Sequence, residues 1–289
     1  MADTLTVEAI PKPPTLARRL GLGFWLSSGF ITLIVALAVL APILPIEDPD
    51  AVAVGEQFEG PNSDLWFGAD ILGRDVFSIT IWGSRISLLV GFIAIVVGFV
   101  IGGPLGLLAG YFRGWLDKVV SFIFATLLSF PALILAILIT TLLGRTVFWV
   151  SLSLGILAIA PVGRLARAQT LVFAERDFVT AARVIGASDR RILLRELLPN
   201  VVVPMSALAL LGMGVAIVAE GTLAFLGISV NGAESWGNQI FEAGGSTRNL
   251  QEGPHAALFP IGVVFLTVLS LNYAGDRLRE VFDTKELAL

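Results

Sequence analysis

Apolar residues in this chain fall into long runs without a charge, and those runs set the predicted elements. Between consecutive charged side chains lie six stretches, 20–46, 86–112, 119–144, 146–163, 197–219 and 253–275, of 27, 27, 26, 18, 23 and 23 residues. A helix needs about 20 apolar residues to cross a hydrocarbon layer of about 30 Å. The pattern therefore predicts an all-α integral membrane protein with six transmembrane helices. A small-residue sequence at Ala36-Leu37-Ala38 is the kind of site where a leader is cleaved. The apolar run continues past it to Ile46, so the first stretch reads as a span.

The polar intervals fix the orientation, because Lys and Arg are retained on the cytoplasmic side of short loops. With the N-terminus inside, fifteen of the 19 Lys and Arg residues fall inside, starting with Lys12, Arg18 and Arg19, and only Arg74, Arg85, Arg145 and Arg248 fall outside. An even number of spans places the C-terminus inside as well. The expected organisation is a cytoplasmic segment 1–23, a first span 24–44 and an extracytoplasmic loop 45–84. A five-helix core 85–283 follows, with a cytoplasmic loop 168–200 and an extracytoplasmic loop 228–255, and the chain ends in a tail 284–289. The outer stretch 47–75 carries eight carboxylates against Arg74. It is too long for a tight connection, and a short surface helix is expected over 74–82, with Trp66 and Trp82 near the membrane interface.

Composition sharpens this reading. Of 289 residues 56% are hydrophobic and 15% charged, with mean hydropathy +0.87, against roughly a quarter charged in a soluble domain. A formal net charge of −4 excludes a generally basic nucleic-acid binder, and the lack of cysteine excludes disulfides, thiolate metal sites and cysteine nucleophiles. His255 is the one histidine, expected as an interfacial polar residue. The three lysines follow Pro11, Asp117 and Thr284, so no Gly-Lys phosphate loop exists. Any ATP must bind on another chain, and no catalytic, cofactor or metal motif appears.

Within the runs, Gly98, Gly102, Gly106 and Gly110 recur every fourth residue and leave one helical face as bare backbone, which allows close approach of a second helix in lipid. Pro104 lies in that ridge and is expected to kink the helix, and Phe130-Pro131 is expected to break the third span. The stretch 173–200 is the longest cytoplasmic interval. Ala181, Ala182, Val184 and Ile185 suit a helix, Gly186 suits its end, and Ser188 or Asp189 suits the cap of a second helix at the membrane surface. Small and apolar residues flanked by Arg183 and Arg190 form a plug for a partner's groove, or an interfacial helix whose arginines meet anionic lipid. Glu220 is the ionisable group set deepest in an apolar run, a candidate gate or structural hydrogen-bond site, with proton relay as a third reading.

The order Thr180-Ala181-Ala182, Gly186 and Leu198-Pro199-Asn200 resembles the cytoplasmic Glu-Ala-Ala loop of permeases in binding-protein-dependent ABC importers. Leu72-Gly73-Arg74-Asp75-Val76, Gly83-Ser84-Arg85-Ile86-Ser87-Leu88, Ala109-Gly110-Tyr111-Phe112-Arg113-Gly114-Trp115-Leu116-Asp117, Leu128-Ser129-Phe130-Pro131, Arg176-Asp177-Phe178, Leu223-Ala224-Phe225-Leu226-Gly227, Ser235-Trp236-Gly237 and Gly275-Asp276-Arg277-Leu278-Arg279 extend the likeness to the dipeptide, oligopeptide and nickel branch, most closely its C-type dipeptide permeases. The resemblance implies the type I ABC importer permease fold in the cytoplasmic membrane of a bacterium or archaeon. It further implies a homologous second permease, two cytoplasmic ATPase subunits that hold ATP and Mg, and an extracytoplasmic peptide-binding protein. Carried onto this chain, the ATPase-coupling loop comprises Asp177, Thr180, Ala181, Ala182, Arg183, Val184, Ile185, Gly186, Ala187, Ser188, Asp189 and Arg190, with Pro199 and Asn200 closing it. The family's first acidic position is Thr180 here. Alternatives are a proton-coupled secondary transporter using Glu220, a nickel permease, which one His and no Cys disfavour, and a membrane scaffold or channel subunit.

Overall fold

The computed structural model describes residues 16–228 and 230–286. Residues 1–15 of the expected N-terminal segment, including Lys12, Ser229 of the outer loop and the end of the tail from residue 287 lie outside the described residues. The helices are α1 (Leu16–Leu40), α2 (Val76–Phe112), α3 (Gly114–Ser129), α4 (Ala132–Leu143), α5 (Val147–Phe173), α6 (Asp177–Val184), α7 (Asp189–Phe225), α8 (Trp236–Gly244), α9 (Thr247–Glu252) and α10 (Pro254–Glu286). No strand occurs among the described residues; the extended pairing there is a single antiparallel bridge, Ala69 with Asp75.

Five stretches are long and apolar enough to cross a membrane: Leu20–Ile43, Val76–Phe112, Val147–Phe173, Asp189–Phe225 and Pro254–Phe282. The sixth span is α3 with α4, broken by an 87° bend. The cause is local: Pro131 has no N–H to donate, and it pushes Phe130 into an extended conformation with ψ 135°.

Other prolines do not break their helices. Pro104 follows a wide turn, Gly98–Gly102, and Pro199 follows another, Ile192–Leu197. Each wide turn shifts the hydrogen-bond ladder to i→i+5, which makes room for the proline ring one turn before it would clash. As a result α2 and α7 run unbroken for 37 residues each, about 55 Å at 1.5 Å per residue, and their ends project beyond the hydrocarbon. The second surface helix expected after Gly186 is thus the first turns of α7 rather than a separate element.

The helix expected over 74–82 is likewise the start of α2. Asp75 caps it, its carboxylate accepting from the backbone N–H groups of Phe77 and Ser78 at 3.1 Å, and nothing interrupts the ladder at Trp82. Arg85 is accommodated inside α2 by lying over the Trp82 ring, 5.1 Å from its centroid. Trp66 is 64% exposed. In the bundle α2 packs on α5 and α7, and α10 packs on α7 and α1. α1 buries Ile34 and Ala38 and leaves Leu22, Leu26 and Leu33 exposed, the arrangement of a peripheral span facing lipid.

Candidate functional site

At one end of the bundle the arginine-rich loop folds into α6, a tight turn and the start of α7. Gly186, at φ +82°, ends α6 in the left-handed conformation. The N–H of Ala187 returns to the Ala182 carbonyl and that of Gly186 to the Arg183 carbonyl, satisfying two of the last helical acceptors. Asp177 stands in the first turn of α6 and Arg183 in the last, each suited to the helix dipole there. One face of α6 is buried: Val179 and Ala182 join an apolar cluster with Leu107, Tyr111, Phe173, Ile192 and Leu197. The other face is open. Val184 and Ile185 are 82% and 76% exposed, and Thr180, Ala181, Arg183, Gly186, Ser188 and Arg190 are exposed beside them. Exposed large apolar residues ringed by arginines on a short rigid helix make a surface built to be covered.

The loop is tied to the bundle by polar contacts as well. The Tyr111 hydroxyl donates to Asp189 at 2.6 Å, and the Arg183 guanidinium lies 5.5 Å from the Tyr111 ring centroid. Glu175 accepts from Arg113 at 2.7 Å, and within the bundle beside it Arg167 of α5 pairs with Asp117 of α3. Asn200, just past Pro199, donates to the Glu196 carbonyl at 2.6 Å.

The glycine ridge faces α5. A Cβ on Gly102 or Gly106 would fall on the carbonyl oxygens of Ile159 and Gly163, one on Gly98 would lie 2.8 Å from the Ala158 Cβ, and one on Gly110 2.8 Å from the Arg167 carbonyl oxygen. The two backbones touch from the membrane middle to this end.

Glu220 is fully buried and accepts from Ser235 at 2.7 Å and Ser87 at 3.3 Å. The Ser87 hydroxyl in turn accepts the Trp236 N–H, and the Trp236 indole donates to the Thr80 carbonyl at 2.9 Å. The carboxylate therefore joins α2, α7 and the loop leading into α8. His255 Nε2 meets the Ala69 carbonyl at 2.9 Å and fastens the outer segment to the start of α10.

A second cluster was not apparent from the sequence. Arg74, nearly buried, binds Asp70 at 2.6 Å, Glu242 at 2.7 Å and Glu234 at 3.1 Å. Burial lowers its pKa, but hydrogen bonds and charges from Glu242, Asp70 and Glu234 outweigh that and raise it above the ordinary arginine value. Burial, followed by the charge of Glu242, pushes the Glu234 carboxyl up against the opposing pull of Arg74. Beside the cluster opens a cavity of about 700 Å³ lined by Trp82, Arg85, Asn238 and Glu242. An apolar recess of about 630 Å³ lies at the α3–α4 bend, between Phe130, Pro131, Pro161, Leu208 and Val215.

Six spans, the third of them broken, and a loop whose apolar tip is exposed at one end define a multi-pass membrane protein. The family of binding-protein-dependent transport system inner membrane components matches residues 102–286, and the chain belongs to that family. It is 35% identical over 256 residues, 88% of this chain and 83% of the relative, to a dipeptide transport system permease of Alkalihalophilus pseudofirmus. It is 36% identical over 258 residues, 89% of this chain and 85% of the relative, to a glutathione transport system permease of Pectobacterium atrosepticum. Among solved structures, an inward-facing methionine ABC transporter shares the fold, with TM-score 0.57 at 22% identity, covering 71% of this chain and 97% of that one. The chain is an ABC importer permease of the dipeptide and glutathione type, and the secondary-transporter and nickel readings are not favoured. Such a permease works with ATPase and binding-protein partners.

Proposed function

We propose that the chain forms half of the translocation path for di- or oligopeptides, paired with a homologous permease, two cytoplasmic ATPase subunits holding ATP and Mg, and an extracytoplasmic peptide-binding protein. The setting is the cytoplasmic membrane of a bacterium or archaeon, with the arginine-rich end inside. The observation that carries the reading is the rigid, outward-facing Val184-Ile185 tip of α6 on a chain related to peptide permeases over nearly nine-tenths of its length. Segment 177–190 seats in an ATPase groove. The glycine ridge packs α2 on α5. Glu220 holds the outer ends of α2, α7 and α8 together. The recess at the α3–α4 bend contributes to the path, and alternation between inward and outward states follows from different contacts in each.

The test is to purify the tagged chain in mild detergent, identify what accompanies it, and measure ATP hydrolysis and uptake of dipeptide, glutathione and nickel in proteoliposomes. Recovery of a second permease and ATPase chains, with hydrolysis raised by a peptide-loaded binding protein, is expected. A lone chain without ATPase overturns the proposal. Gly186→Pro, which cannot adopt φ +82°, and the pair Arg183→Glu with Arg190→Glu should each abolish uptake while the chain still inserts in the membrane; normal uptake by these variants removes the docking role.

A further inference from the structure

We propose that Tyr111 is a positioning residue, the point at which movement of the 177–190 loop enters the paired helices α2 and α5. This rests on the permease reading above. Tyr111 lies in the last turn of α2, and its ring is 9% exposed within the apolar cluster that also buries Val179 and Ala182 of α6. Its hydroxyl donates to Asp189 at 2.6 Å, and Arg183 lies over its ring. One side chain therefore touches both arms of the loop, the last turn of α6 and the first turn of α7.

The helix that carries Tyr111 is not free to move alone. Gly102, Gly106 and Gly110 set its backbone against Ile159, Gly163 and Arg167 of α5 at distances that leave no room for a Cβ, so a displacement at Tyr111 is shared by α2 and α5. Val179 and Ala182 grip the cluster without direction, as apolar contacts do. The hydroxyl–carboxylate bond adds direction and register, because a charge-assisted hydrogen bond weakens steeply when bent or stretched. Another polar tie across this junction, Arg113 with Glu175, has side chains 48% and 70% exposed and is weak on that account, whereas the tie to the exposed Asp189 is anchored at its other end by the buried Tyr111. At its far end α2 begins one residue after Asp75, beside the Arg74 cluster, so the same helix reaches from the loop to the outer face.

The test uses the complete transporter in proteoliposomes, with an alanyl dipeptide as the probe and peptide accumulated per ATP hydrolysed as the readout. Tyr111→Phe keeps the ring and loses the hydroxyl. It is expected to keep ATP hydrolysis within about twofold of wild type while the transport-to-hydrolysis ratio falls about fivefold or more, the low end of ordinary coupling between sites. Asp189→Ala should lower the ratio alike, the double variant should be no worse than either single one, since both remove the same bond, and Asp189→Asn, which keeps an acceptor oxygen, should recover most of it. An unchanged ratio in Tyr111→Phe overturns the proposal, as does a double variant that multiplies the two losses. Parallel loss of hydrolysis, melting temperature and uptake in Tyr111→Phe would make the residue structural and also overturn it. A wild-type complex without ATP-driven uptake brings down the permease reading itself, a separate result.

Discussion

Buried charge in this protein is handled differently at Glu220 and at Arg74. Glu220 accepts from two hydroxyls on separate elements, contacts that hold α2, α7 and the start of α8 in register. Arg74 faces three carboxylates, so the outer cluster carries more negative than positive charge. Glu234 bears the consequence. It shares the guanidinium with Asp70, sits against Glu242 and feels Asp50, and its carboxyl pKa is raised in the folded chain, chiefly by burial. A folded carboxyl with a raised pKa binds its proton more readily than the unfolded one. Its contribution to stability is therefore full below the ordinary carboxylate value and is lost as pH rises through the raised value. Glu234→Gln removes that charge while leaving an oxygen for Arg74. It should raise the melting temperature of the purified protein at neutral pH, with the gain shrinking as pH falls into the ordinary carboxylate range. An equal gain at both pH values would show that Glu234 does not titrate in this window.

At the scale of elements, the contact between α2 and α5 depends on which glycine faces the partner. Gly103 points into open space, whereas three residues on a Cβ at Gly106 would meet the Gly163 carbonyl and lie 2.9 Å from the Ala166 Cβ. Gly103→Ala should therefore be neutral or stabilising, and Gly106→Ala should destabilise by about 1–3 kcal/mol, the usual cost of overpacking. Thermal unfolding of the two variants in detergent compares them directly, and equal melting would mean the helices separate easily there. This ridge was legible as spacing, since every fourth residue shares a helical face, and so was the break at Pro131. The continuity of α2 through Pro104 and of α7 through Pro199 was not legible, because a wide turn that absorbs a proline has no fixed residue signature. Gly186 and the helix before it could be read because their chemistry is local. Of the three partners of Arg74, Asp70 is four residues away, but Glu234 and Glu242 lie 160 and 168 residues away, and no run or spacing in the chain connects those two to it.

For the whole molecule, the sidedness of the bundle follows from charge. The end formed by α6, the start of α7 and the ends of α2 and α5 carries the arginines; the opposite end carries the acidic segment 47–75 and the Arg74 cluster. Arginine is retained on the cytoplasmic side far more strongly than carboxylates are excluded from it, so the acidic end is expected to face out despite Arg74, which is paired with three carboxylates. The sequence contains no cysteine, which makes single introduced thiols free of background. Trp66→Cys, at a position 64% exposed, and Val184→Cys, at one 82% exposed, lie at opposite ends. In intact cells or spheroplasts a membrane-impermeant maleimide should label the thiol at position 66 and leave that at 184 unlabelled until the membrane is opened. Labelling at 184 from outside, with 66 protected, would invert the bundle and place the exposed apolar tip of α6 where no cytoplasmic ATPase could reach it. If both sites were protected in intact cells but reactive in detergent, the outer segment would be covered by another protein.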